Sequence, residues 1–390
     1  MFLVVQYFGI SPFGYLDSAL YIEAGETLLT SPLDAINPEH PPLAKYIIGV
    51  FGEILGNYYV SARIFGSLSA SLMVLISWKL SRNIVASSMT LWIITFEPLF
   101  ISMSNEAMLE IYMLFFELLG IWILLTNFEW KIPMFGLFFG LAFSCKWISI
   151  IVFIGILSYL LIVKRQFFQT AISLIIFTLT YIVIYVPYIY SYGFDSFVSR
   201  QIFMANFMGG WHLEKINPRP IMWFLLLTNV IKGYADPFTH PEQFSYGGYV
   251  WYSIVEGYNP IIIFAAFPIV IFLIMKRRWL ELAWVGSIIL SFITVNTNDY
   301  YLFQLFPALA VSMGSIYAEL TKTRNSSKVY LIFLFYALSV SFVYMFGSLL
   351  LPTLIIVGMA PPELKWGYIF ASWIVVLYTF ISLFKKSKTV

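Results

Sequence analysis

The sequence predicts an all-α polytopic membrane protein with about 11–12 transmembrane helices and two long external loop segments. Of the 390 residues, 60% are hydrophobic and only 11% are charged, whereas soluble domains are about half apolar and about a quarter charged. This composition excludes intrinsic disorder. A net charge of +2 without a dominant basic run gives no support for nucleic-acid binding. The single cysteine, Cys145, excludes an internal disulfide.

The expected spans lie at 59–79, 83–103, 109–126, 133–145, 147–163, 168–190, 259–275, 280–295, 302–319, 329–350 and 367–384. Two polar segments of unusual length interrupt them, at about 14–57 and about 190–258, and long connections usually carry function. The C-terminal helices occupy about 259–384, and we treat 1–390 as one membrane-embedded domain. Residues 1–10 resemble half of another helix, so a first transmembrane helix could begin upstream.

The basic residues are distributed unevenly between the two sides of the predicted bundle. If the spans alternate in direction, one side receives 14 of the 22 lysines and arginines: Lys79, Arg82, Lys131, Lys164, Arg165, Lys276, Arg277, Arg278, Lys322, Arg324, Lys328, Lys385, Lys386 and Lys388. The positive-inside rule makes that side cytoplasmic, together with the C-terminus. A multi-pass protein of the cell membrane is therefore expected, with both long segments outside.

Acidic residues cluster on the predicted external side, and three of them are poorly explained as solvated loop charges. Asp17 follows the apolar N-terminal stretch at a membrane boundary, and Glu106 and Glu110 are four residues apart on the helix expected to open the 109–126 span. Ionisable groups at such positions indicate a functional site by default. The alternative for Glu110 is an interaction with the helix dipole. Asp17 and Glu110 together could bind a divalent metal, although the sequence contains no spacing typical of metal ligands. The sequence does not otherwise indicate a cofactor.

The segment 37–45 (NPEHPPLAK) precedes a predicted amphipathic helix at 46–55 that would lie at the membrane interface. Its two consecutive prolines fix the backbone and favour a helix start directly after them. The His-Pro-Pro run is either a rigid turn or part of a site, because His40 and Lys45 fall on the same external side as Asp17.

Five motifs in order resemble those of the dolichyl-phosphate-mannose–protein mannosyltransferases, over roughly residues 6–320. They are Asp17 before HPPLAK at 40–45, AMLEIYMLFF at 107–116, GLAFSCKW at 140–147, the segment from 193 to His212, and GYNP at 257–260. The resemblance implies the C-type glycosyltransferase fold, which aminoarabinose transferases acting on lipid A share, with the active site on the external face.

The sequence departs from the family pattern at several positions. Ser18 stands where the family has a second acid, Asn105 where it has an arginine, and Glu110 where it has an aspartate; a late arginine is missing around Asp299. These differences indicate a divergent prokaryotic or archaeal relative, and they leave the sugar and the acceptor open.

The implied reaction transfers mannose or another hexose, with inversion, from a polyprenyl (dolichyl) phosphate donor in the lipid bilayer. The acceptor would be a protein Ser/Thr hydroxyl (O-glycosylation) or a glycolipid. The predicted base is Asp17, with Glu110 and Glu106 orienting the acceptor or Asp17 itself. The candidates for binding phosphate or sugar are Lys146, Lys45, Arg63, His40 and His212. Snorkelling of Lys146 and a structural role for either histidine are the alternatives.

A transporter or lipid-carrier flippase is the rival interpretation, since it would also be a polytopic bundle. Such proteins commonly show internal repeats and broken helices with charges near the membrane midplane. The hydropathy shows no repeat, and Glu117 is the main charge within the spans. This distribution favours chemistry at the external surface.

Overall fold

The computed structural model describes residues 16–31, 36–95, 97–214, 245–246, 249–250, 260–294 and 302–321. The α-helices of these residues are α1 (Leu16–Thr30), α2 (Leu43–Leu55), α3 (Tyr59–Ser81), α4 (Ile84–Thr95), α5 (Pro98–Asn105), α6 (Leu109–Leu124), α7 (Lys131–Cys145), α8 (Ile150–Ser158), α9 (Phe167–Ile184), α10 (Val186–Tyr192), α11 (Phe194–Glu214), α12 (Pro260–Met275), α13 (Trp279–Thr294) and α14 (Leu302–Thr321). A 3₁₀ turn (Trp147–Ser149) precedes α8, and a π-helical turn (Tyr159–Val163) follows it. The short strands β1 (Ser245–Tyr246) and β2 (Tyr249–Val250) pair antiparallel.

Each span expected between residues 59 and 319 coincides with one of these helices or with a pair of them. The span 83–103 consists of α4 and α5, which are inclined by 68° at the break between them. Within the described residues, α3 and α9 are each long and apolar enough to cross a membrane, and the bent α4–α5 pair would add a third span. The spans expected at 329–350 and 367–384, and the half-helix at 1–10, lie outside the described residues.

The two segments expected as external loops are largely helical where the structure describes them. The first contains α1 as well as α2, and the second begins with α10 and α11. Helix α1 carries polar residues throughout and lacks a continuous apolar run, so hydropathy did not reveal it. Its buried residues Tyr21, Ala24 and Leu28 recur at helical spacing. Packing of this narrow stripe, rather than overall hydrophobicity, therefore accounts for the helix.

Helices α1 and α2 make backbone contact where Gly25 faces Gly49. A Cβ atom on Gly25 would lie 2.7 Å from the carbonyl oxygen of Lys45, and one on Gly49 would lie 2.5 Å from the carbonyl oxygen of Gly25. Helix α2 starts directly after Pro42, as predicted, and ends at Gly56, whose φ of 65° is left-handed. This crossing fixes α1 relative to the His-Pro-Pro turn.

Helix α6 lies at the centre of the core, and its residues 109–114 are all buried. Tyr112 on α6 hydrogen-bonds through its hydroxyl to Ser61 on α3. On the neighbouring helices, the aromatic rings of Phe135, Phe153 and Phe177 stack, with centroids 4.3 Å apart for Phe153 and Phe177 and 5.4 Å apart for Phe135 and Phe153. These contacts join α6 to α3 and α7 to α8 and α9 within the core.

Three helical segments end in an arginine with a left-handed backbone. Arg82, Arg165 and Arg277 have φ values of 52°, 55° and 54°. This conformation costs about 1–2 kcal/mol for a residue with a Cβ atom, while the positive side chain is favoured near the negative end of the helix dipole. All three belong to the side that the sequence predicts to be cytoplasmic.

Candidate active site

Three segments that are distant in sequence bring Asp17, Glu110 and Lys146 together. Asp17 lies in the first turn of α1, Glu110 in the first turn of α6, and Lys146 in the break between α7 and the 3₁₀ turn. Both Glu110 and Lys146 interact electrostatically with the Asp17 carboxyl. The structure thus places the predicted base within electrostatic range of two other predicted site residues.

Glu110 and Lys146 form a buried ion pair. The Lys146 ammonium donates a hydrogen bond to Glu110 Oε1, and the two side chains are 1% and 2% exposed. Lys146 has an extended backbone (φ −157°, ψ 132°), which ends α7. Glu110 Oε2 has no hydrogen-bond partner among the described residues. A buried carboxylate oxygen of this kind is available to accept a hydrogen bond from a bound hydroxyl.

Asp17 is half-buried, and burial is the main reason that its pKa is raised above the ordinary value of 3.8. The nearby Glu110 carboxylate raises this pKa further, whereas the Lys146 ammonium lowers it. A carboxylate with a raised pKa binds a proton more readily than one in water. Asp17 therefore has the electrostatic environment that suits a general base.

Ser18 connects α1 to the turn between α5 and α6, which contains Glu106. The backbone N–H of Ala107 donates a hydrogen bond to Ser18 Oγ at 3.3 Å. Glu106 is extended (φ −108°, ψ 148°) and lies beyond the end of α5, while α6 begins only at Leu109. The expectation that Glu106 and Glu110 share one helix face is therefore wrong, because the helix breaks between them. In the turn, the backbone N–H of Ala107 bonds to Ser18 and that of Met108 to the Glu106 carbonyl oxygen, instead of to helical carbonyl groups. Glu106 remains buried in the adjacent turn.

His40 and Lys45 organise the turn between α1 and α2. The His40 ring packs edge-on against Tyr21, with centroids 5.9 Å apart, and Tyr21 lies one helical turn after Asp17. Lys45 is fully buried, and its ammonium donates hydrogen bonds to the carbonyl oxygens of Asn37 and His40, the latter at 3.0 Å. Lys45 thus holds the turn that carries His40. Binding of a donor phosphate by either residue stays a prediction.

Arg63 has no contact with this cluster among the described residues, and the placement of the His212 side chain is not described. Arg63 is half-buried on α3, and no contact within the described residues joins it to Asp17, Glu110 or Lys146. His212 belongs to the last turn of α11, and its side chain lies outside the described residues. No group of three or more potential metal ligands lies close together in the described part of the chain.

A polar aromatic cluster beside Lys146 was not predicted from the sequence. Trp147 Nε1 donates a hydrogen bond to the Tyr181 hydroxyl at 2.9 Å, and that hydroxyl donates to Gln201 Oε1 at 2.6 Å. The Arg200 guanidinium lies 5.2 Å from the centroid of the Tyr188 ring. Trp147 lies in the 3₁₀ turn next to Lys146, whereas the other members lie on α9, α10 and α11. Only Trp147 therefore offered a signal in the sequence.

Comparisons with known proteins agree with the arrangement of these helices. Residues 39–190 match the family model described as dolichyl-phosphate-mannose-protein mannosyltransferase. This range includes Glu110 and Lys146, while Asp17 precedes it. No curated protein matches the chain by sequence.

Two crystal structures of ArnT from Cupriavidus metallidurans are similar to this chain throughout its length. The form bound to undecaprenyl phosphate has a TM-score of 0.60 and 13% identity, covering 98% of this chain and 75% of that chain. The apo form has a TM-score of 0.57 and 14% identity, covering 98% and 74%. The apo oligosaccharyltransferase from Archaeoglobus fulgidus, with a TM-score of 0.49, 12% identity and coverage of 97% and 53%, adds nothing to the fold assignment. The chain is therefore an all-α polytopic membrane protein with a C-type glycosyltransferase fold like that of the protein mannosyltransferases and ArnT.

Proposed function

We propose that this protein transfers a sugar from a polyprenyl-phosphate donor to an acceptor hydroxyl, with inversion at the anomeric carbon. The observation that carries this proposal is the convergence of the half-buried Asp17 on the buried Glu110–Lys146 pair. The acceptor oxygen attacks the anomeric carbon from the side opposite the phosphate. The bond from that carbon to the phosphate oxygen breaks, polyprenyl phosphate leaves, and the acceptor proton passes to the base.

Asp17 is the proposed base. A neutral hydroxyl is a poor nucleophile, and a carboxylate at hydrogen-bond distance contributes about 10²–10⁴-fold to such a step. The raised pKa of Asp17 makes it a better proton acceptor than a solvated aspartate. Since the leaving phosphate is stable as an anion, an inverting transfer requires no second carboxylic acid to protonate it, unlike ordinary glycoside hydrolysis.

Lys146 is the proposed electrostatic partner of the leaving phosphate. Negative charge grows on the phosphate in the transition state, and a fixed cation in a site that excludes water stabilises it strongly. The ion pair with Glu110 holds the ammonium in place before the donor binds. Glu110 Oε2 can then accept a hydrogen bond from the acceptor hydroxyl. Glu106 lies in the turn directly before the helix that carries Glu110.

The similarity to known proteins supports a polyprenyl-phosphate donor and leaves finer specificity as a proposal. The similar ArnT structure is bound to undecaprenyl phosphate, and the matching family model is described as dolichyl-phosphate-mannose-protein mannosyltransferase. We therefore propose mannose or another hexose as the sugar. We propose a protein Ser/Thr hydroxyl or a glycolipid as the acceptor, on the external face of the cell membrane with the C-terminus in the cytoplasm.

The test uses the purified protein in proteoliposomes with undecaprenyl or dolichyl phosphate carrying radiolabelled mannose or glucose. Acceptor peptides rich in Ser and Thr and a glycolipid extract are supplied in separate reactions. We expect label in one acceptor pool, together with stoichiometric release of polyprenyl phosphate. Movement of the labelled lipid across the bilayer without transfer from any donor would contradict the proposal and favour a flippase.

A further inference from the structure

Helix α6 carries a second buried carboxyl group to which the proposed reaction assigns no role. Glu117 is 1% exposed and lies seven residues after Glu110. Because seven residues make nearly two turns, the two side chains lie on the same face, about 10 Å apart along the axis. An ionisable group within a membrane helix is expensive and usually functional.

Gln304 on α14 links Glu117 to the segment that carries Lys146. Its side-chain nitrogen donates one hydrogen bond to Glu117 Oε1 at 2.8 Å and another to the carbonyl oxygen of Ile148 at 3.2 Å. Ile148 lies in the 3₁₀ turn, two residues after Lys146. The bridge therefore joins three segments: α6, α14 and the break that follows α7.

Two carboxyl groups of one helix face thus hold the same break at two points. Glu110 binds the Lys146 ammonium directly, and Glu117 holds the backbone of Ile148 through Gln304. An apolar residue at position 117 would avoid the cost of burying a polar group. It could not, however, accept the hydrogen bond that fixes the orientation of the Gln304 amide.

We propose that Glu117 and Gln304 are positioning residues that set where the Lys146 ammonium lies relative to Glu110 and Asp17. This inference rests on the proposed function for its effect on catalysis, because Lys146 is the group that faces the leaving phosphate there. Its structural part, the placement of Lys146, can be measured without any substrate. A shift of about 1 Å in a catalytic group can cost on the order of 100-fold in rate.

The experiment compares Gln304→Leu, Gln304→Glu, Glu117→Leu and Glu117→Gln in the full-length protein, with Ser312→Ala as the control. Ser312 is also buried on α14, and its hydroxyl has no hydrogen-bond partner among the described residues. The first readout is acetylation of Lys146 by a small amine-reactive reagent, quantified by mass spectrometry. The second is kcat and KM for the labelled donor, with the melting temperature of every variant recorded.

Gln304→Leu removes both donated hydrogen bonds, Gln304→Glu has at most one O–H to replace the two N–H donors, and Glu117→Leu removes the acceptor that orients the amide. For these three variants we expect faster acetylation of Lys146 and a kcat reduced by about 10- to 100-fold. Glu117→Gln keeps an acceptor oxygen, so its acetylation and kcat should remain close to those of the wild type. Ser312→Ala should change neither quantity.

Acetylation of Lys146 that is unchanged in Gln304→Leu and Gln304→Glu would overturn the inference, whether or not the protein transfers sugar. Equal losses in Glu117→Gln and Glu117→Leu, or in Ser312→Ala, would also overturn it, because they would indicate a general packing effect. Absence of transfer by the wild type with altered acetylation in the variants would contradict the proposed function alone and support the placement of Lys146.

Discussion

Helix α14 lies near two carboxylate–ammonium pairs in opposite surroundings. Near its start, Gln304 contacts the segment of Lys146, whose ion pair with Glu110 is 1% and 2% exposed. Near its end, Glu319 pairs with Lys276 at 2.6 Å, and these side chains are 39% and 49% exposed. One carboxylate–ammonium pair is buried, and the other is partly exposed at the surface.

This difference indicates what each pair contributes. An exposed pair is worth only about 0–1 kcal/mol because water screens it. A buried pair gains little net stability over apolar packing, since both charges lose their hydration. Glu110 and Lys146 are therefore better explained by the positions in which they hold charge than by stability. The basic residues around Lys276 are among those from which the positive-inside rule predicts a cytoplasmic side.

Replacing the lysine of each pair should give the largest difference in stability between the buried pair and the exposed pair. Lys146→Met leaves Glu110 buried without its partner, a situation that costs about 3–5 kcal/mol. Lys276→Met should cost less than about 1 kcal/mol. Unfolding in detergent, followed by tryptophan fluorescence, measures both. The double variant Glu110→Gln/Lys146→Met should recover much of the stability without recovering sugar transfer. Equal destabilisation by the two lysine substitutions would contradict the comparison.

Lys45→Met tests whether a buried lysine near the Asp17 site supports the turn or binds the donor phosphate. Hydrogen bonds to a charged group contribute about 1.5–3 kcal/mol, and Lys45 donates such bonds to the carbonyl oxygens of Asn37 and His40. We expect lower stability and faster proteolysis between residues 36 and 43. A raised KM for the donor with unchanged stability and proteolysis would instead make Lys45 a phosphate ligand.

Gly49→Ala tests how α1 is held against α2. The new Cβ atom would lie 2.5 Å from the carbonyl oxygen of Gly25, so the helices must move apart. Overpacking of this kind costs about 1–3 kcal/mol, and it should displace Asp17 and reduce transfer. The matched control is Gly286→Ala on α13, because nothing lies within 4 Å of its added Cβ atom. It should be neutral or stabilising by up to about 1 kcal/mol.

The pH dependence of transfer should report the charges around Asp17. A base acts when deprotonated, and the pKa of Asp17 is raised, so activity should fall as the pH decreases through a value above 3.8. Glu110 raises this pKa and Lys146 lowers it. Profiles of kcat/KM should therefore show an acid limb at lower pH in Glu110→Gln and at higher pH in Lys146→Met. Identical acid limbs in all three proteins would mean that Asp17 is not the titrating base.

Much of the bundle was predictable because helices that span a bilayer consist of long apolar runs, which are visible in the sequence. The break at Lys146 was also visible, since a lysine interrupts two apolar stretches. Helix α1 was not, because its buried stripe is narrow and its contact with α2 depends on two glycines. The helix break at Glu106 was also missed because it depends on a contact distant in sequence: Ser18 Oγ accepts a hydrogen bond from the backbone N–H of Ala107, 89 residues away. Contacts distant in sequence also explain why Gln304 and Tyr181 were not expected.

The most direct test of the central claim, that Asp17 is the base of a polyprenyl-phosphate-dependent glycosyltransferase, compares Asp17→Asn with Glu23→Gln. Both substitutions replace a carboxylate of α1 by its isosteric amide, but Glu23 is exposed. The measurement is single-turnover transfer of labelled sugar from the polyprenyl-phosphate donor. We predict a loss of about 10²–10⁴-fold for Asp17→Asn and wild-type transfer for Glu23→Gln. Equal transfer by both variants and the wild type would contradict the claim.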